Sequence, residues 1–119
     1  MEYLKKELKD NLIAIIQFGS SINSDKYEDI DLMIVTEKPV EIKFPDKLIK
    51  KYRVSPLFLT KKDFAINCIE KSPLFVGMLL SGFKIHYGTN FVYKWLPALI
   101  NRMNRYDVLY HKHGVKRWT

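Results

Sequence analysis

The chain has 119 residues, a length that fits one domain, excludes a second, and should bury roughly 65% of its unfolded surface on folding. It carries 20 Lys and Arg against 13 Asp and Glu, a formal charge of +7, and its seven Tyr, seven Phe and 47% hydrophobic composition exclude a disordered chain. A single cysteine excludes an internal disulfide framework and points to a reducing, cytoplasmic location. The longest apolar run, Leu74 to Leu80, is far too short for a membrane span, and no signal peptide is expected before residue 20.

In chain order, Met1 to about Lys9 reads as a short charged helix with Leu4 and Leu8 on one side. Asn11 to Phe18 is an apolar run closed by Gly19, and Asp29 to Thr36 is another; both fit buried strands. Ser20 to Glu28 between them is polar, a loop or a turn of helix. Val40 to Phe44 alternates as a half-exposed strand does, Pro45 stops it, and Asp46 to Tyr52 has room for a helical turn or two. Arg53 to Thr60 is a further strand, and its Pro56, which cannot donate to a ladder, places it at an edge or a bulge. Thr60 is a suitable N-cap for a helix over 61–71, and Ser72-Pro73 caps a second helix ending at Ser81-Gly82. Phe83 to Tyr87 is a last strand. Thr89 then caps a helix in which Phe91, Val92, Trp95, Leu96, Leu99, Ile100 and Met103 keep the 3.6-residue period, with Pro97 expected to kink it. The expected fold is α/β (α+β): a small mixed β-sheet with helices packed on it, in a single domain over 1–119.

The chemistry concentrates in residues 18–32. Gly19, at the end of a buried strand, lets the backbone turn sharply and lets an anion approach the main chain. Ser20 adds a hydroxyl and an N–H that can both donate to a phosphate oxygen. Asp29 and Asp31 are two apart on a strand, so their side chains leave one face, while Ile30 and Leu32 face the core. Two carboxylates this close repel unless a cation lies between them, and Mg²⁺ typically takes one or two carboxylates plus substrate phosphates.

This arrangement of strand, Gly19-Ser20, variable loop and Asp29-x-Asp31 resembles the signature of the DNA polymerase beta nucleotidyltransferase superfamily, in particular its minimal archaeal and bacterial members of about this length. A wider likeness runs through 53–60, 72–75, 82–88 and the basic close at 114–118. The resemblance implies a nucleotidyltransferase-like fold and transfer of a nucleoside monophosphate from a nucleoside triphosphate, ATP by expectation, to a hydroxyl such as that of a protein tyrosine. It implies Asp29 and Asp31 as catalytic ligands of Mg²⁺ or Mn²⁺, Gly19, Ser20 and Ser21 as nucleotide-binding residues, and a helical partner protein in the manner of a toxin–antitoxin pair. Active members use a third carboxylate on a following strand. Here Arg53 to Thr60 has none, and Ser55 stands in its place; Glu41, Asp46 and Asp63 are the other nearby acids. The Arg-Gly pair common after Gly-Ser is absent, and Glu28 replaces a small polar residue before Asp29. A catalytically reduced module that binds nucleotide, RNA or a partner chain is therefore the competing reading.

The remaining candidates divide by position. Residues 89–119 hold Lys94, Arg102, Arg105, Lys112, Lys116 and Arg117 against Asp107 alone, a basic segment that is either a solvated tail or an anion or nucleic-acid contact. His111 and His113 read as loop residues, His86 as a packed or surface residue, and Cys68 as buried and inert. Phe91 and Trp95 read as core or as the seam of a homodimer.

Overall fold

The apolar runs become strands because both faces of the sheet they form are covered. The computed structural model describes residues 2–22, 29–40 and 53–103. Helix α1 (Glu2–Leu8) leads through a 3₁₀ turn into β1 (Leu12–Phe18), followed by a second 3₁₀ turn at Ser20–Ile22, β2 (Ile30–Thr36) and β3 (Val54–Thr60). Then come α2 (Lys61–Ile69), α3 (Pro73–Ser81), β4 (Phe83–Gly88) and α4 (Asn90–Arg102). The four strands lie in the order β3-β2-β1-β4. β1 is antiparallel to both neighbours, and β2 is parallel to β3, so the sheet is mixed as expected. Pro56 lies on β3, an edge strand, where a missing N–H costs least.

Each side of the sheet has its own core. On one, Ala14, Ile16, Met33 and Val35 pack with Phe64 and Cys68 of α2, Phe75 and Met78 of α3, and Val92, Leu96 and Leu99 of α4. On the other, Leu12, Ile15, Leu32 and Ile34 pack with Leu4 and Leu8 of α1. The register shift between Leu12 and Ala14 makes Ile13 an extra residue, a bulge that keeps both sets pointing correctly. Ile30 and Leu32 thus face the smaller α1 side, whereas the face carrying Asp31 continues through Met33 and Val35 into the larger core.

The helix starts follow their caps. The Thr60 hydroxyl accepts from the Asp63 N–H at 3.2 Å, and the Ser72 hydroxyl accepts from the Phe75 N–H at 3.3 Å, with Pro73 at the first position of α3. Thr89 differs: it occupies the N-cap of α4, yet its hydroxyl makes no cap bond and is buried without a partner. α4 runs through Pro97 to Arg102, and Ile100, counted by its period with the apolar face, is 52% exposed. Phe91 packs its ring on Phe64 at 5.7 Å and on Trp95 at 6.2 Å, so the aromatic pair, itself partly buried, packs against the larger core. The strand expected at 40–44, beyond Val40 itself, the helical turns at 46–52, and Arg105, His111, Lys112, His113, Lys116 and Arg117 lie outside the described residues.

Candidate functional site

The end of β1 and the start of β2 meet side by side, because Phe18 pairs with Asp31 in the antiparallel register. One residue on, Gly19 has φ +83°, a conformation open mainly to glycine. A Cβ at Gly19 would collide with Oδ2 of Asp31 and lie 3.3 Å from its Cγ. Glycine is thus required twice, by backbone angle and by the carboxylate that occupies the space a side chain would take. The two halves of the signature, whose first residues Gly19 and Asp29 are ten positions apart, are in contact.

Asp31 is half-buried and Asp29, immediately before β2, is exposed. Burial, and secondarily the charge of Asp29, push the Asp31 carboxyl above its ordinary value of 3.8. The Ile30 N–H donates to the Arg53 carbonyl at 2.8 Å, and Arg53 itself turns at φ +51° to lead into β3. This bond ties the start of β3 to the Asp29–Asp31 segment.

β3 brings no acid to the pair. Ser55, exposed, is the register partner of Asp31, so it stands where a third carboxylate would join the site. Asp63 is at the other end: Thr60, which caps its helix, pairs with Thr36, five residues and about 16 Å along the strand from Ser55. Glu41, Asp46 and Glu28 are outside the described residues. Among the described residues no third His, Cys, Asp or Glu side chain joins Asp29 and Asp31. Two carboxylates fit a single hard divalent cation completed by substrate phosphates. Among the described residues a second such ion would have no carboxylate of its own.

Ser20 opens the 3₁₀ turn after Gly19, and the Ile22 N–H closes it onto the Gly19 carbonyl at 3.2 Å. Ser21 is held from below. Gln17 Nε2 donates to Ser21 Oγ at 2.9 Å, and Gln17 Oε1 meets His86 Nε2 at 2.8 Å, a chain from β4 across β1 to the turn. Ser21 Oγ keeps its own proton to donate, since in this polarity it only accepts from Gln17. Burial lowers the His86 pKa from 6.5, with Lys84 and the chain's amino terminus adding to the effect. Sequence reasoning placed His86 on its strand but missed this role. The available signal was that Gln17 and His86 are polar residues inside apolar strands, where each needs a partner.

Beside Gly19, on the same sheet face as Asp31, lies a cavity of about 200 Å³. Phe18 and Gly19 form one wall, and Pro73, Leu74, Gly77, Met78 and Ser81 of α3 form the other. These α3 positions share one helix face. The helix was legible in the sequence, but its wall against Gly19 was not, because 54 positions separate Gly19 from Pro73.

The fold is that of nucleotidyltransferases. A chain of the toxin–antitoxin complex MntA–HpeT, in a mutant form, superposes with TM-score 0.55 at 13% identity, over 96% of this chain and 89% of that one. A chain of the tri-AMPylated Shewanella oneidensis HEPN toxin in complex with MNT antitoxin gives 0.50 at 16% identity, over 96% and 87%. Spectinomycin adenyltransferase AAD(9) from Enterococcus faecialis, solved with ATP and spectinomycin, gives 0.50 at 18% identity; this chain is covered over 92% and spans 60% of that enzyme. No family model and no curated protein matches the sequence.

Proposed function

We propose that this chain is a divalent-metal-dependent nucleotidyltransferase that moves a nucleoside monophosphate, AMP from ATP, onto a hydroxyl of a partner protein in the cytoplasm. The observation that carries the reading is the contact of Gly19 with the Asp31 carboxylate, which puts an anion-accommodating turn and a carboxylate pair within one small site. Gly19 and the turn at Ser20 and Ser21 receive the outer phosphates through main-chain N–H groups and the Ser21 hydroxyl. Asp29 and Asp31 would hold Mg²⁺ or Mn²⁺. The ion would supply positive charge against that developing on the phosphates. The acceptor hydroxyl gives up its proton to solvent as its oxygen bonds to the α-phosphorus, the bond to the bridging oxygen breaks, and pyrophosphate leaves with the electron pair. The names of the structural neighbours, a tri-AMPylated toxin among them, support AMP as the transferred group and a toxin-like protein as acceptor.

Ser55 opposite Asp31 favours a second reading, in which the same site binds ATP as a catalytically reduced module. The experiment that separates them uses ATP labelled either at the α- or at the γ-phosphate, with Mg²⁺ and a host lysate as the source of acceptor. Transfer of the α-label alone is expected, and Asp29→Asn or Asp31→Asn should lower it roughly a thousandfold. Label transfer that survives both substitutions overturns the assignment of the carboxylates. Tight ATP binding without transfer selects the reduced module.

A further inference from the structure

Every residue of β3 is at least partly buried except Ser55, which is exposed. Leu57 and Leu59, alternating with it along the strand, pack against the core that holds Met33 and Val35. Those two alternate in the same way with Asp31, the register partner of Ser55. Hydroxyl and carboxylate therefore leave the same sheet face on adjacent strands, whose spacing is about 4.8 Å. The Ser55 hydroxyl has no hydrogen-bond partner among the described residues. Other hydroxyls are engaged: Ser21 accepts from Gln17, Thr36 donates to the Lys38 carbonyl, and Thr60 and Ser72 cap helices. Ser55 thus fills no core and caps no helix. It presents a free alcohol, the chemical class of the acceptor, beside the carboxylate pair.

We infer that Ser55 is itself an acceptor: with ATP bound, the chain transfers AMP to the Ser55 hydroxyl of the same molecule. The inference rests on the nucleotidyl-transfer reading above and goes beyond it, from a partner's hydroxyl to the chain's own. The Ser55 hydroxyl gives up its proton to solvent as Oγ bonds to the α-phosphorus. The bond to the bridging oxygen breaks, pyrophosphate leaves with the electron pair, and the product is a serine–AMP phosphodiester. An alcohol held one strand away from the carboxylate pair needs no encounter with a partner, and placement of this kind replaces a bimolecular step by a unimolecular one. The reaction also ends itself, because each chain has a single Ser55 to modify. The place that a third carboxylate would take is therefore occupied by a group that can receive the product.

The purified full-length protein, incubated with ATP and Mg²⁺ and no lysate, tests this by mass spectrometry under denaturing conditions. The expected result is a gain of one adenylyl group per chain, located on Ser55 by peptide fragmentation. Its first-order rate constant should be unchanged over an about tenfold dilution of the protein, as an intramolecular step requires. Ser55→Thr, which keeps an alcohol, should still be modified, and Ser55→Ala should not. Modification at any other residue overturns the inference, as does a mass gain that persists in Ser55→Ala. A rate that rises in proportion to protein concentration overturns it too, since one molecule would then be modifying another. Transfer of label from γ-labelled ATP would show phosphorylation and overturn it as well. A chain that stays unmodified while it labels a lysate protein overturns the inference alone and leaves the transfer reading intact. No label on either the chain or any lysate protein overturns both.

Discussion

Asp31 shows what the site costs the fold. Its carboxyl binds its proton more tightly in the folded chain than in the unfolded one, because burial and then Asp29 disfavour its charge. The native state therefore holds more protons, and stability falls as pH rises from 3.8 through the raised folded value. Above that value the loss is complete and constant. Asp31→Asn removes the penalty, so in EDTA at neutral pH its melting midpoint should exceed the parent's by a few degrees, a gap that closes toward pH 3. An equal or lower midpoint at neutral pH would show that Asp31 is stabilised by a partner instead. Gly19 bears the complementary constraint, since neither its backbone angle nor the nearby carboxylate admits a side chain.

Among the elements, β3 decides the chemistry by its register. The pairing of Ile30 with Val54 and of Asp31 with Ser55 puts position 55 on the face of the carboxylate pair, as alternation along parallel strands requires. Ser55→Asp should rebuild a three-carboxylate site. Three acids without a cation repel, so the variant should melt below the parent in EDTA and recover on addition of millimolar Mg²⁺, more than the parent does. Label transfer should rise by about tenfold if the missing ligand limits the rate. A variant whose midpoint ignores Mg²⁺ would show that position 55 does not reach the site in solution. The α3 cap works at the same scale: Ser72 and Pro73 fix where the helix begins, and thereby which of its residues reach Gly19.

For the molecule as a whole, the larger core joins three helices to one face of the sheet, and its centre is Phe64 against Phe75 at 4.9 Å. Cys68 lies in that cluster, 1% exposed, and burial pushes its thiol up to about 11. A thiol so placed is both protonated and out of reach at pH 8. Its reaction with a chromogenic disulfide should therefore be negligible in the native protein and appear with the same denaturant midpoint as loss of circular dichroism. Earlier labelling would mean that α2 opens without the rest. Charge is also a whole-molecule property. The net charge of residues 89–119 is +5, and of its basic residues only Lys94 and Arg102 fall within the described residues, both exposed on α4.

Most of the elements could be read directly from the chain because their causes are local. Apolar runs of seven, Ser and Thr before helices, a proline that cannot enter a central strand, and glycines where φ turns positive each act within a few residues. The carboxylate pair and the Gly19 turn were legible for the same reason, since two-residue alternation needs no tertiary information. What had to await folding was every relation between distant segments. Strand order, the parallel pairing that puts Ser55 beside Asp31, the Gln17–His86 bond under Ser21, and the wall that α3 raises against Gly19 all depend on which faces bury against which. Burial is non-directional, so no local pattern encodes these partners. They are selected only when two opposed cores are packed at once around a single sheet.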